Sequence, residues 1–387
     1  MSFFKFLTKP KTINIEDSNI ANLGSDMEKK ARLDASRKEP AWEGVGSAVG
    51  LRIFRIEKFK VVAVAQKEYG RFYNGDSYIV INTWKKPSEE KLYHDIHFWL
   101  GLKTSQDEAG TAAYKTVELD DYLGTLPIEH REVQGDESSL FKSYFKNLEI
   151  LEGGVDSGFH HVTAEKHIQH LFKISLHSFA PSRSAHSDTG VTVTEVEISH
   201  KSLNSGDVFV LHAEKSIFVW IGSKAKGVEK IKAQEVARRI EDERDGKASV
   251  VVYDESDTDS TPFWTALGGK GPVMSAADAQ KLVQRPKVEK TLVRLTNRSN
   301  SLTYKVESTG TPIHRTQLDS NDVFVVDSGD HVFVWIGSKA DASERKHAVQ
   351  FASDYLHSHG RPETLPVTVL NEGSEEQSAE FNLAVVA

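Results

Sequence analysis

The chain has 387 residues, of which 39% are hydrophobic and 27% charged, with a formal net charge of −8 and no cysteine. That length accommodates two or three folded units, and the acidic balance argues against a dedicated nucleic-acid binder. The missing cysteine excludes disulfides, thiolate metal sites and a cysteine nucleophile together.

A reducing compartment fits this composition. The opening Met-Ser-Phe-Phe-Lys-Phe-Leu, followed by Lys9-Pro10-Lys11, does not read as a secretory signal. No run approaches the roughly 18 apolar residues of a membrane helix. The expected location is the cytoplasm, and the sequon Asn297-Arg298-Ser299 is read as coincidence.

Taken in order, residues 1–44 are a polar extension with one isolated Trp42. A first unit over 45–150 begins with the β-rich runs Leu51–Ile56 and Lys60–Ala65. The capping pattern Ser105-Gln106-Asp107-Glu108 then predicts a helix over 107–123, with Ala112, Thr116, Leu119 and Leu123 on its apolar face. A strand near 130–133 and a short helix around 141–145 close the unit. Residues 151–168 form a Gly- and His-rich linker. The second unit, 169–267, repeats the order, with a helix over 227–242 and a strand over 249–253. After a linker over 268–287, the third unit, 288–387, has its helix over 342–356 and a strand over 367–370. Hairpin-like strands with only two helices per unit predict an α+β fold, in which each mixed central sheet packs between one long and one short helix.

One phrase recurs in all three units. Asp76 precedes a strand, Trp99-Leu100-Gly101 ends the next, and Glu108 opens the helix; the counterparts are Asp207, Trp220-Ile221-Gly222 and Glu229, then Asp322, Trp335-Ile336-Gly337 and Glu344. Trp and Glu are nine residues apart every time, and an alanine (Ala112, Ala233 or Ala348) follows each Glu by four. Constant offsets over a domain-sized period indicate a repeated unit.

Asp in a turn and Glu in a capping box have ordinary structural explanations. In each unit, however, Glu lies one helical turn before the first apolar Ala, above the face that meets the sheet. With the Asp-bearing strand beneath it, two carboxylates converge, and such a pair calls for a proton or a cation. Carboxylates backed by backbone carbonyls are hard oxygen donors suited to calcium. The Asp254–Asp259 run lacks the central Gly and terminal Glu of a helix-loop-helix calcium loop.

The full set of phrases resembles the gelsolin and villin superfamily: the three Trp-Ile/Leu-Gly motifs, His97–Gly101 leading into Ser105–Gly110, Val117–Tyr122, His130–Gly135, and Trp42–Gly46 followed by Gly50–Ile56. Three repeats behind an extension are most similar to its severin and fragmin members, and the likeness runs from about residue 40 to the end. The resemblance implies a monomeric, calcium-activated protein that binds actin, severs filaments and caps their barbed ends. It implies calcium ligands at the Gly75 carbonyl, Asp76, Glu108 and the Val155 carbonyl; at the Gly206 carbonyl, Asp207, Glu229 and Asp278; and at the Asn321 carbonyl, Asp322 and Glu344. A further calcium shared with actin would use Asp120 with the carbonyls of Thr125 and Pro127.

The actin-binding surface that the resemblance implies is the first long helix, through Tyr114, Leu119, Asp120 and Leu123. In the second repeat it is the basic run Lys224, Lys226, Lys230 and Lys232, which a solvated helix face explains about as well. Secreted members of the family carry a disulfide across the second repeat, where this chain has Val208 and Ile221. Residues 146–152 are not strongly basic, unlike the matching segment of phosphoinositide-regulated members. The positive charge available there would come from Lys166 and Lys173 and, as pH falls, from His160, His161, His167 and His170, so phosphoinositide binding stays open.

The alternatives are a capping or side-binding protein that does not sever and, from another class, a calcium-dependent hydrolase. No Gly-x-Ser-x-Gly elbow, phosphate loop or His-Glu-x-x-His helix is present. Three near-identical acidic pairs suit three binding sites better than one active centre.

Overall fold

The structure is a computed structural model, and it describes residues 33–87, 89–124, 127–155, 169–178, 189–213, 216–243, 248–283, 288–298 and 301–386. The first repeat contributes β1 (Gly50–Glu57), β2 (Lys60–Ala63), β3 (Arg71–Tyr73), β4 (Ser77–Lys85), β5 (Leu92–Leu100), helix α1 (Gln106–Tyr122), β6 (Ile128–Val133), α2 (Ser139–Ser143) and β7 (Asn147–Leu151). The second has β8 (His170–Ser178), β9 (Thr189–Val196), β10 (Val208–His212), β11 (Ser216–Ile221), α3 (Gly227–Glu243), β12 (Ser249–Asp254), α4 (Thr261–Ala266) and α5 (Ala276–Val283). The third has β13 (Thr291–Arg298), β14 (Ser301–Thr309), β15 (Ile313–His314), β16 (Val323–Asp327), β17 (Val332–Ile336), α6 (Ala342–Ser358), β18 (Val367–Asn371), α7 (Ala379–Ala384) and β19 (Val385–Val386).

Pairing is the same in each repeat. The opening strand runs antiparallel to both its hairpin partner and the strand that follows the motif Asp. That strand pairs with the Trp-bearing strand, which is joined in parallel by the strand after the long helix (β4·β5 and β5·β6, β10·β11 and β11·β12, β16·β17 and β17·β18). Period-2 alternation splits the apolar residues between two faces. One face meets the long helix, as with Ile79, Ile81, Ala112 and Leu119 in repeat 1. The other meets the short helix and carries the motif tryptophan: Trp99 with Phe141, Trp220 with Phe263, and Trp335 with Phe381. The tryptophans therefore brace the side of the sheet opposite the long helix.

Trp42 is fully buried in the first repeat, edge-on to Phe54 at 5.2 Å, and its indole N–H donates to Glu118 Oε1 at 2.9 Å. Lys115 joins Glu118 to Glu39 at 2.9 and 2.7 Å. Folded structure thus reaches back before residue 45, because the core needs this indole to cover α1.

The repeats share sheet edges. β18 pairs antiparallel with β6, Thr368 opposite His130, and fuses repeats 3 and 1 into one ten-stranded sheet. β7 leaves repeat 1 to run parallel to β9 and, with β3, extends the sheet of repeat 2 to seven strands. The seam between repeats 1 and 3 buries a polar network. Thr368 Oγ1 lies 2.9 Å from His130 Nδ1 and 2.7 Å from His331 Nε2, His97 and His130 stack at 4.2 Å, and His97 Nδ1 lies 2.8 Å from Glu132 Oε1. One hydroxyl can donate to one imidazole and accept from the other. Across the same seam the Leu140 amide donates to Glu380 Oε1 at 3.2 Å.

Burial pushes His97 down to about 3 and His331 to about 4, and also lowers His130; Asp95 and Glu380 oppose this only in part. These imidazoles are neutral when folded but titrate near 6.5 when unfolded, so their contribution to stability is full above about pH 6.5 and is lost as pH falls toward about 4. The thermal midpoint in calcium-free buffer is expected to fall steadily across that window; a midpoint level from pH 6.5 to 4 would contradict this account of the seam.

Candidate metal sites

Each site begins with a glycine. In repeat 1 the Gly101 amide donates to the Asp76 carbonyl at 3.1 Å and the Lys103 amide to the Asn74 carbonyl at 2.8 Å. The same pair of bonds recurs from Gly222 to Asp207 (3.0 Å) and Lys224 to Ser205 (2.7 Å), and from Gly337 to Asp322 (3.1 Å) and Lys339 to Ser320 (2.8 Å). A Cβ on Gly101, Gly222 or Gly337 would lie 2.2, 2.6 or 2.3 Å from the carbonyl oxygen of Asn74, Ser205 or Ser320. Only glycine lets the two loops lie this close, and their contact sets the motif Asp beside the start of the long helix.

In repeat 1 Asp76 is 1% exposed. Its Oδ1 accepts from the Val155 amide at 2.8 Å, and Arg55 stands 3.6 Å from Oδ2. Burial, and to a smaller extent the charge of Glu108, raise the Asp76 pKa, opposed by the Val155 hydrogen bond and Arg55. The Gly75 amide donates to the Gly153 carbonyl at 2.7 Å, so the segment leaving repeat 1 lies across the Asp loop. Glu108 is reached through Thr104, whose hydroxyl donates to it at 3.4 Å and lies 2.8 Å from Ser77 Oγ.

In repeat 2 Glu229 is buried and accepts from the Lys226 amide at 2.6 Å and the Leu176 amide at 2.7 Å. Burial raises its pKa, and the nearby charge of Asp207 adds to the effect. Asp207 Oδ2 accepts from Asn204 at 2.7 Å and from Lys173 at 3.1 Å. Gly206 packs by Ala276, yet Asp278 turns outward to Lys281 (2.9 Å) and Ser275 (2.8 Å). In repeat 3 Asp322 meets Arg294 at 3.0 Å, Asn321 bonds to Asp319, and Glu344 lies in the first turn of α6.

The residues expected to ligate at each site offer carboxylate and backbone carbonyl oxygens, with no imidazole among them. That set fits calcium. His97, His130 and Glu132 are also close enough together for a metal, but His97 uses Nδ1 on Glu132 and Nε2 on the Tyr144 hydroxyl, and His130 uses Nδ1 on Thr368.

The expected actin-facing residues divide. On α1, Tyr114 is 40% exposed, whereas Leu119 is fully buried in the core and Leu123 packs against it. Leu119 is therefore corrected to a core residue, since five helical residues turn it well away from Tyr114. Asp120 is half-buried at the end of α1 and Pro127 is buried; Thr125 lies outside the described residues. In repeat 2 Lys224, Lys226 and Lys230 are exposed beside Val228 and Ile231. Lys232 differs: it is 8% exposed and pairs with Glu149 of β7 at 3.4 Å, because two residues beyond Lys230 the helix has turned toward repeat 1. The basic candidates at 160, 161, 166 and 167 fall outside the described residues; His170 pairs with Glu195 at 2.5 Å, and Lys173 with Asp207.

The gelsolin repeat model matches this chain three times, over residues 58–142, 189–260 and 306–381. The chain belongs to the gelsolin family. It is 36% identical over 382 residues to gelsolin-like protein 2 of Lumbricus terrestris, covering 98% of this chain and 99% of that one. To gelsolin-like protein 1 of the same organism it is 38% identical over 384 residues, with the same coverage. Severin of Echinococcus granulosus is 34% identical over 387 residues, covering 97% of each.

The gelsolin-family sites also depend on residues that sequence reasoning passed over. Glu255 accepts from Ser205 Oγ at 2.7 Å and the Ser223 amide at 2.8 Å, tying the Asp loop to the glycine loop. Glu372 does the same from Ser320 (2.6 Å) and the Ser338 amide (2.7 Å). Gln134 holds the Leu102 amide at 2.9 Å. All three follow the parallel strand, about 35 residues after the motif Trp, and that near-constant offset was a readable signal.

Gly337→Ala should force the glycine and Asp loops apart and destabilise repeat 3 by about 1–3 kcal/mol or more. A thermal melt in chelator that is unchanged from the parent would refute the close-approach explanation.

Proposed function

We propose that this gelsolin-family protein is a calcium-activated, actin-binding protein that severs filaments and caps their barbed ends, and that it works without covalent chemistry. The observation that carries the calcium reading is the threefold recurrence of one buried or half-buried Asp, placed by a glycine contact at the mouth of a long helix that opens with Glu. Asp76, Glu108 and the Gly75 and Val155 carbonyls would hold calcium in repeat 1; Asp207, Glu229 and the Gly206 carbonyl in repeat 2; Asp322, Glu344 and the Asn321 carbonyl in repeat 3. Asp120, with the carbonyls of Thr125 and Pro127, would complete a site against actin. Calcium bound there supplies a divalent charge that two adjacent carboxylates can share.

The residues themselves tie the sites to neighbouring segments, in repeat 1 to the one that leads out of the repeat. Asp76 takes its hydrogen bond from Val155, in the segment leading to repeat 2. Glu229 holds the amide of Leu176 on β8 as well as its own helix start. Drawing either carboxylate to a ligand removes an acceptor from a half-buried amide and loosens the packing around it. Repeats fused through β18·β6 and β7·β9 are thereby able to separate. The exposed face of α1 around Tyr114 then acts as a helix for an apolar groove on actin, while Lys224, Lys226 and Lys230 serve the filament side. The proposed setting is the cytoplasm.

Glu108→Gln keeps the side-chain shape and removes one anionic donor. The calcium concentration that gives half-maximal severing of preformed fluorescent filaments should rise roughly tenfold or more. An unchanged calcium dependence would remove Glu108 from the first site, and growth arrest without fresh breaks in the parent protein would leave capping without severing.

A further inference from the structure

Each motif Asp also has a basic partner on the opening strand of its repeat. Arg55 on β1 is paired in register with Tyr78, Lys173 on β8 with Phe209, and Arg294 on β13 with Phe324. Tyr78, Phe209 and Phe324 each stand two residues after the motif Asp. Three separate repeats therefore present a cation from one lattice position of the sheet to one carboxylate: Arg55 to Asp76 at 3.6 Å, Lys173 to Asp207 at 3.1 Å, and Arg294 to Asp322 at 3.0 Å. The Asp side chains are 1, 15 and 13% exposed and the bases 19, 27 and 24%, so the charges interact with less solvent screening than exposed surface pairs do.

We propose that Arg55, Lys173 and Arg294 are built-in counter-cations that set the calcium threshold of the three sites; the inference rests on the calcium reading above. A carboxylate that already faces an ammonium or guanidinium within 4 Å offers a second cation less net negative charge, and must share or exchange its partner to bind it. The same base compensates Asp when the site is ligand-free, when Asp and Glu would otherwise repel. It thus stabilises the resting protein and raises the calcium level needed to leave that state.

The three bases are not equally committed. Arg294 reaches Asp322 at the shortest distance while also pairing with Glu307 at 3.1 Å, and it lies over the Phe324 ring at 4.9 Å. Arg55 hydrogen-bonds to Glu57 through Nε at 2.7 Å and stands farthest from its Asp. Neutralising Arg294 or Lys173 therefore releases more affinity than neutralising Arg55.

The test is calorimetric titration of calcium into the full chain, with Arg294→Met, Lys173→Met and Arg55→Met compared to the parent. Arg294→Met and Lys173→Met should each tighten one binding event about tenfold, and Arg55→Met by clearly less, since an opposing charge at this range is removed. The charge-preserving Arg294→Lys should bind much as the parent does. Thermal midpoints supply a second readout: Arg294→Met should melt lower than the parent in chelator and gain more from added calcium.

Asp322→Asn identifies the repeat 3 event and separates the two readings. If it abolishes one event while Arg294→Met leaves that event unchanged or weaker, the counter-cation role is overturned and the site stands. If Asp322→Asn leaves the parent isotherm intact, the calcium site in repeat 3 fails, and the role of Arg294 with it. Should Arg294→Met not fold by circular dichroism, Lys173→Met with Asp207→Asn answers the same question in repeat 2.

Discussion

Everything in this molecule that concerns a ligand depends on two loops lying closer than side chains permit. The glycine ending each Trp-x-Gly phrase sits with its α-carbon against the carbonyl of the residue two before the motif Asp, and two backbone hydrogen bonds lock the contact. The Asp is thereby fixed relative to the strand it precedes and to the helix whose first turn carries Glu, seven residues after the glycine. The large indole before the glycine fills the opposite face of the sheet, against the short helix, and holds the strand from behind. Placement of the carboxylates is a backbone property here, which is why three otherwise diverged repeats preserve it.

Buried charge is managed by the same economy of position. An Asp held next to a Glu in partly desolvated surroundings is costly unless something compensates it. The opening strand supplies a base at one register position in every repeat, and backbone amides of neighbouring segments supply hydrogen bonds. Some of those amides belong to the segments that connect repeats. A change of charge at the sites is then also a change in how the repeats are held, and the sheets that run across both seams give that change something to act upon.

The seams differ in chemistry. Between repeats 1 and 3 the contact is an antiparallel strand pair over neutral, buried imidazoles joined through Thr368. Between repeats 1 and 2 it is a parallel pair in which Glu149 of β7 gathers Arg71, Arg239 and Lys232 at 3.1, 2.9 and 3.4 Å. Desolvation raises and these three cations lower the Glu149 pKa, with a net lowering. One seam is thus sensitive to protons and the other is held by ion pairs.

Local chemistry was legible without coordinates. The capping Ser105, the apolar faces of the three long helices, and the fixed Trp-to-Glu spacing are short-range properties that each repeat states on its own, and they were enough to find three α+β units and their acidic pairs. Pairings over long and variable separations were not legible. Arg55, Lys173 and Arg294 lie 21, 34 and 28 residues before their Asp because the intervening hairpins differ in length, so no periodicity marks them. Leu119 and Lys232 carried the right chemistry for a partner surface, but a helix has two sides, and only the packing of α1 on Trp42 and of α3 on β7 determined which side each residue faces. β7 itself was readable as a strand; that it belongs to the sheet of the next repeat was decided by which edge lay unpaired in the assembled fold.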